Sequence, residues 1–220
     1  MVDIHTHVIP CVDDGSPNLE TSISMIKHEI EIGVTEIYCT PHHIYTRYEK
    51  SVDEIREKYN LLKQEVKRLN LPVTLYLGQE ICYTHREDIL GMLKAGKLLT
   101  LNNTNRVLLE FSFHREPEDM LDIIYNFGVN GYEVIIAHVE RYEWMTYDKV
   151  VALRNEGAKI QINSNSYLGL ESWREKRFTR KLLKNNLVDY VASDTHSFRP
   201  STLDKSYQKI KDPDLFNYSR

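Results

Sequence analysis

The chain is predicted to be an α/β protein, a distorted seven-stranded (β/α) barrel of TIM-like form. Three observations predict it. Seven short apolar, β-branched or aromatic runs alternate with amphipathic stretches along the whole sequence. Residues of metal-ligand type close these runs again and again: His5 and His7, His42, Glu80, Glu110, His138, then Asp194 and His196. The paired device His5-Thr6-His7 at the start is echoed by Asp194-Thr195-His196 near the end. Ligands gathered at one end of successive strands are what a barrel produces at its mouth. A first and last strand carrying matching devices are what barrel closure brings together.

The predicted strands are 2–5, 36–40, 73–78, 107–111, 133–137, 159–162 and 189–192. Leu19, Ile23, Ile26 and Ile30 recur at helical spacing before a stop at Gly33. Ile55, Tyr59, Leu62, Val66 and Leu69 form the apolar stripe of a long second helix. A third is expected from Pro117, harmless in a first turn, to Phe127 before Gly128. Others are expected over 147–155, 178–183 and 205–211, with Asp212-Pro213-Asp214 breaking the last and leaving a polar, frayed tail. Strand–helix alternation implies parallel strands joined by right-handed crossovers. No repeat, low-complexity tract or linker interrupts it, so residues 1–220 read as a single domain.

Composition narrows the function classes. A hydrophobic content of 41% and a charged content of 27% are ordinary for a soluble globular protein. A formal charge of -4 leaves no footprint for nucleic acid. No apolar run approaches the ~18 residues that cross a membrane, and no signal peptide is visible. Three cysteines without C-x-x-C spacing fit a reducing compartment, so a cytoplasmic location is expected.

The candidate ligands differ in their alternatives. His5 and His7, two apart on a strand, project to one face and can reach one cation. In Asp13-Asp14-Gly15 the bland reading is a turn with Ser16 or Asn18 as a helix cap; of the two carboxylates, Asp14 is expected to turn inward. Of His42 and His43 after Pro41, one reads as a ligand and the other as solvent-facing. Glu80 follows Gly78, which permits close backbone approach. Glu110 is a charge inside "VLLEF" and is costly unless metal-bound or paired with Arg106 or Arg141. A lone His138 would usually be a satisfied core histidine.

Imidazole and carboxylate ligands suit Mn2+, Fe, Zn2+ or Mg2+ rather than a structural cysteine site. Five His and four carboxylates exceed the needs of one ion, so two or three divalent metals are implied. Three divalent ions against four carboxylates leave a surplus of roughly +2, before Arg141 and Arg199, which suits a phosphate dianion. Two close metals can share a hydroxide nucleophile and neutralise charge on a transferring phosphoryl group. A cysteine phosphatase needs Arg six positions after its thiolate; the residues there are Pro17, Tyr45 and Asp88. No G-x-S-x-G or Walker-type loop is present either.

In order, "DIHTH", "VDDG", "TPHH", "GQE", "LLEF", "AHVERY" and "ASDTH" resemble the PHP (polymerase and histidinol phosphatase) superfamily over roughly residues 1–200. "VDDG" and "AHVERY" resemble its bacterial tyrosine-protein phosphatase branch, which acts with capsule and exopolysaccharide tyrosine kinases. The resemblance implies a PHP-type barrel with three metals, most often Mn2+. It implies His5, His7, Glu80 and Asp194 on one ion and Glu80, Glu110 and His138 on a second, with Glu80 bridging. Asp14, His42 and His196 would hold the third, and Arg141 and Arg199 would grip phosphate. The catalytic candidates are thus Asp14, His42, His196, Arg141 and Arg199. The implied partner is the phosphotyrosine-bearing tail of a bacterial tyrosine kinase, met at an open, shallow mouth. The alternatives are a small-molecule phosphoesterase such as a histidinol phosphatase, and a metal-binding regulatory module without turnover. Family members are expected to continue through a further helical stretch beyond Arg220.

Overall fold

The computed structural model describes residues 1–218; Ser219 and Arg220 lie outside the described residues. Nine parallel strands are present among the described residues: β1 (Val2–Thr6), β2 (Glu36–Cys39), β3 (His42–His43), β4 (Thr74–Leu77), β5 (Glu80–Cys82), β6 (Arg106–Glu110), β7 (Glu133–Ile136), β8 (Lys159–Asn163) and β9 (Tyr190–Ala192). They form a three-stranded sheet, β1-β2-β4, and a six-stranded sheet, β3-β5-β6-β7-β8-β9. The expectation of parallel strands holds, but seven strands in a closed ring is not what the ladders show. The second and third predicted strands are present as β2 and β4, but each is followed by a short strand that the apolar runs do not predict. Thr40-Pro41 separates β2 from β3, and Gly78-Gln79 separates β4 from β5. β1 packs against β9 without a ladder between them, and an isolated parallel bridge from Thr6 to Thr195 joins it to the segment after β9. Two backbone bonds flank it, from Asp194 N to His5 O at 2.9 Å and from His7 N to Thr195 O at 3.0 Å.

These breaks position the site. At the Gly78 break a Cβ would come within 2.6 Å of the end of the Leu101 side chain, which would have to shift to admit it. Beyond the breaks, β3 and β5 set His42 directly beside Glu80, and β5 and β6 set Cys82 beside Glu110. β1 shifts register between Asp3 and Thr6. Ile4 therefore joins an apolar cluster with Leu108 and Ile135 that bridges both sheets, while the next residue, His5, joins Glu80.

The helices are α1 (Leu19–Glu31), α2 (Val52–Arg68), α3 (Ile89–Lys94), α4 (Met120–Val129), α5 (Tyr147–Asn155), α6 (Ser164–Leu168), α7 (Trp173–Lys184) and α8 (Leu203–Ile210). Caps explain the starts. The Asn18 side chain accepts from Thr21 N, and Ser51 with Glu54 forms a capping box on α2. α4 begins after Asp119, not at Pro117. α7 begins five residues before its predicted start, because its first half points basic residues outward and shows no apolar rhythm. α3 and α6 are too short for periodicity to reveal. The tail is not frayed up to Tyr218: a 3-10 turn spans Pro213–Phe216, and Leu215, Phe216 and Tyr218 are buried. Arg106 holds the segment by donating to the Tyr218 carbonyl at 2.9 Å. The main apolar core lies between strands and helices, with Ile26, Ile55, Leu62 and Phe127 fully packed. No helix among the described residues is long and apolar enough to cross a membrane.

Candidate metal centre

All nine predicted ligands come together at the strand ends. Four groups have ligand atoms within 4.8 Å of one another: His5, His7 and Asp194; His5, Glu80 and His138; His42, Glu80 and Glu110; and His7, Asp14, His42 and His196. The grouping differs from that implied by resemblance: His7 joins Asp14, His42 and His196, His5 joins Glu80 and His138, and Glu110 groups with His42 and Glu80. Glu110 lies 3.5 Å from His42 Nδ1 and 3.7 Å from His138 Nε2, so it serves the His42 side as readily as the His138 side.

The spacings fit cations. His5 Nε2 and His7 Nε2 face each other at 3.1 Å. Glu80 Oε2 lies 3.1 Å from the first and 3.2 Å from the second. Asp194 Oδ1 lies 3.6 and 3.4 Å from the same two nitrogens. Ligands at ~2.1 Å around a tetrahedral ion stand roughly 3.4 Å apart, and closer around an octahedral one. Glu80 Oε2 is buried and makes no hydrogen bond, although three imidazole nitrogens stand around it. That is the arrangement of co-ligands rather than of hydrogen-bond partners. The residues present therefore fit a set of divalent ions.

Supporting groups fix the ring orientations. Gln161 Oε1 accepts from His138 N at 2.9 Å and lies 3.2 Å from His5 Nδ1. An amide oxygen can only accept, so His5 carries its proton on Nδ1 and turns the Nε2 lone pair inward. Gln161 Nε2 donates to Asn163 Oδ1, and Asn163 Nδ2 donates to Asp194 Oδ2, both at 2.8 Å. β8 contributes no predicted ligand, yet it orients two of them. Asp13 does the same for His7, with Oδ2 at 2.8 Å from Nδ1. Asp13 also accepts from His42 N at 2.9 Å and Gly15 N at 3.0 Å. Gly15 is obligatory there, since a Cβ would meet the His7 carbonyl oxygen at 2.1 Å.

Three expectations are thereby refined. Both carboxylates of the Asp-Asp-Gly turn point inward, Asp13 to His7 and Asp14 to His42 and His196, each at 3.6 Å. His43 does not face solvent; it is buried against Glu87 at 3.0 Å. Glu110 pairs with neither arginine, for Arg106 bonds Glu133 and Arg141 bonds Asp194. Asp13, Gln161 and Asn163 were missed. The signal was present for β8: "KIQIN" places two amides at alternate positions of an otherwise apolar strand.

Electrostatics follow the same logic. Burial opposes charge on His5, His7 and His42, but the neighbouring carboxylates overcome it. Glu80 above all, with bonds to Glu110, holds His42 at about 10. Glu80 and Asp194 are held far below the usual carboxylate range against the burial that would raise them, His5 being the first cause in each. Burial lowers His138 and His196. Such a cluster retains cationic charge strongly. His138 and Asp194 also sit in the left-handed region, with φ of 30° and 52°, a local strain at the centre of the site.

At the edge, Arg141 reaches Asp194 Oδ2 at 3.1 Å and lies over the Phe113 ring at 4.4 Å. Arg199 reaches the same oxygen at 2.6 Å and donates to the Asp194 carbonyl at 2.8 Å. Asp14 is partly exposed, and Phe198 projects beside His196 at 70% exposure, so the mouth opens on that side. A cavity of about 560 Å³ is lined by Tyr83, Arg86, Phe111, Arg115 and Asp119. Burial raises the Cys39 and Cys82 thiols, so neither supplies a thiolate, and the Cys11 thiol is spent on the Pro17 carbonyl.

Residues 1–212 match the family of capsular polysaccharide synthesis proteins CpsB/CapC. The putative tyrosine-protein phosphatase CapC of Staphylococcus aureus is 34% identical over 217 residues, covering 96% of this chain and 84% of the relative. The tyrosine-protein phosphatase YwqE of Bacillus subtilis is 33% identical over 202 residues, covering 90% and 78%. A crystal structure from work on YwqE and on CpsB from Streptococcus pneumoniae, described as metal-dependent tyrosine phosphatases, superposes with a TM-score of 0.89. It is 29% identical and covers 99% of this chain and 88% of that one. Histidinol phosphate phosphatase from Lactococcus lactis shares the fold alone, at a TM-score of 0.64 and 14% identity.

Proposed function

The chain belongs to the CpsB/CapC family of capsular polysaccharide synthesis proteins, and from that premise we propose that it is a metal-dependent protein-tyrosine phosphatase. One observation supports the reading: nine candidate ligand residues converge where two arginines reach in from the rim. Bound divalent ions, most suitably two or three Mn2+, would activate water and neutralise charge on the phosphoryl oxygens.

The chain's own residues do the rest. His5, His7, Glu80 and Asp194 would hold one ion; Glu80, with Glu110 and His138, a second; Asp14, His42 and His196 a third. Asp13, Gln161 and Asn163 keep the imidazoles and Asp194 in register. Five inward carboxylates rather than four lower the surplus of three divalent ions to about +1, so the two arginines matter more for an incoming dianion. Each guanidinium can offer two parallel donors to phosphate oxygens, which Lys cannot. Phenolate leaves readily, its acid having a pKa of ~10, so little general-acid help is needed.

The substrate proposed is the phosphotyrosine-rich tail of a bacterial tyrosine kinase controlling capsule or exopolysaccharide synthesis. The partly exposed Asp14 side of the mouth suits a flexible polypeptide better than a small metabolite. The test compares a phosphotyrosine peptide with histidinol phosphate, using metal-stripped protein reloaded with each ion. The peptide is expected to be turned over and the metabolite not. Arg141→Lys and Arg199→Lys should each cut kcat/KM on the peptide by ~10-fold or more at full metal content. Preference for histidinol phosphate, or Lys variants equal to wild type, would overturn the assignment concerned.

A further inference from the structure

Helix α7 carries the densest positive charge in a chain of formal net charge -4. Its sequence, WREKRFTRKLLK, holds Arg174, Lys176, Arg177, Arg180, Lys181 and Lys184 against the single acid Glu175, which turns inward to the Ser166 hydroxyl. At 3.6 residues per turn, Trp173, Arg177, Arg180 and Lys184 fall within roughly 60° of one another and form one stripe. All four are exposed, Trp173 at 72%. The opposite face buries Thr179 and Leu182. On α2, by contrast, Arg68 meets Glu65 and Lys58 meets Glu57. Among the described residues no carboxylate pairs with Arg177, Arg180 or Lys184; Arg177 lies over Trp173 and Arg180 over Tyr167.

The stripe starts at the rim of the metal centre. β8 ends at Asn163, which bonds Asp194, and α6 and α7 follow directly. In the first turn of α7, Arg174 donates to the carbonyls of Glu140 at 2.9 Å and Tyr142 at 2.5 Å, on either side of Arg141. Trp173 and the exposed Leu170 make an apolar step there, and the cations lead away from it.

We propose that α7 docks an acidic stretch of the substrate polypeptide next to its phosphotyrosine. This rests on the phosphotyrosine reading above and adds what the enzyme selects around that residue. The stripe is ~16 Å long, enough for about five residues of extended peptide. A membrane surface fits less well. A helix that lies in a bilayer turns its apolar face outward, whereas α7 keeps that face in the core and offers only Leu170 and Trp173. Exposed charges are screened within a Debye length of ~8 Å, so docking should be salt-sensitive and act mainly through KM.

The experiment uses metal-loaded enzyme and three substrates: free phosphotyrosine, a phosphotyrosine peptide with an Asp/Glu-rich flank on either side, and its Asn/Gln counterpart. Wild type should prefer the acidic peptide by about 10-fold in kcat/KM at low salt, with the preference lost near 0.5 M salt. Arg177→Glu/Arg180→Glu/Lys184→Glu should abolish the preference while free phosphotyrosine is hydrolysed at the wild-type rate. The corresponding triple Gln variant should show an intermediate loss, which separates lost docking from misfolding. Failure of wild type to turn over any of the three would overturn the phosphotyrosine reading, and docking with it. Turnover without preference, or preference surviving in both variants, would overturn docking alone. If the variants lost binding to anionic phospholipid vesicles and kept wild-type peptide kinetics, the stripe would be a membrane contact instead.

Discussion

Asp13 shows how a residue outside the candidate ligand groups can decide the site. Its carboxylate fixes the His7 tautomer, accepts from the His42 backbone and closes the turn at Gly15. Asp13→Asn keeps the shape but removes the charge that makes His7 a strong donor. We expect metal affinity to fall about 10–100-fold, the usual effect of losing an outer partner, and further for Asp13→Ala. Titration calorimetry on chelated protein measures it directly; unchanged affinity in both variants would leave Asp13 as a turn residue only. The sequence announced most of the candidate ligands because they are charges or imidazoles closing apolar runs, an expensive placement without a function; Asp14, in a polar turn, is the exception. It did not announce Asp13, because Asp-Gly is ordinary turn chemistry. It did not announce Gln161 and Asn163 either, because neutral amides inside a strand carry little cost that a reader can see.

At the scale of elements, the strands were legible from their apolar runs and their breaks were not. Thr40-Pro41 and Gly78-Gln79 look like strand ends in sequence, yet a short strand beyond each break delivers its ligand, His42 in β3 and Glu80 in β5. The packing of α1 against β1 holds a second buried feature that sequence alone hides. Glu29 is fully buried, and no hydrogen bond of good geometry reaches either carboxylate oxygen. Burial, then the charge of Asp3, raise it well above the usual carboxylate range. A carboxyl whose folded pKa is raised costs stability once pH exceeds its unfolded value of ~4.3. The unfolded chain then ionises freely while the folded one must keep its proton or bury a charge. Stability therefore falls as pH climbs from the unfolded towards the folded pKa, and stays reduced above it. Glu29→Gln mimics the protonated form at every pH. It should gain about 1–3 kcal/mol at pH 7, a rise of several degrees in Tm, and almost nothing at pH 4. Equal effects at both pH values would show that the charge of Glu29 is not the cause.

Over the whole molecule, the centre acts as a clasp. Its candidate ligands come from β1 and the segment after it, from β3, β5 and β6, and from the segments following β7 and β9, so both sheets contribute. The strands do not close a continuous ring; at the gap between β1 and β9, a single bridge and the shared contacts of His5, His7 and Asp194 hold the first and last strands together. Cations bound there would complete mechanically what the ladders leave open. An unfolded chain cannot assemble such a set, so binding favours the folded state by RT ln(1 + [L]/Kd). Each site held at a hundredfold excess over its Kd adds about 2.7 kcal/mol, less any weak binding to the unfolded chain. For a chain of this size that is of order 5–10 °C in Tm per site. Thermal unfolding of chelated protein against rising Mn2+ should show Tm climbing steeply while the sites fill and only slowly afterwards. Glu80→Gln should flatten the climb more than any other single ligand change, because Glu80 faces His5, His7, His42 and His138 at once. A Tm indifferent to chelation and to added Mn2+ would mean that the two sheets are held by their apolar cluster alone, and that the ligand cluster has no part in closing the fold.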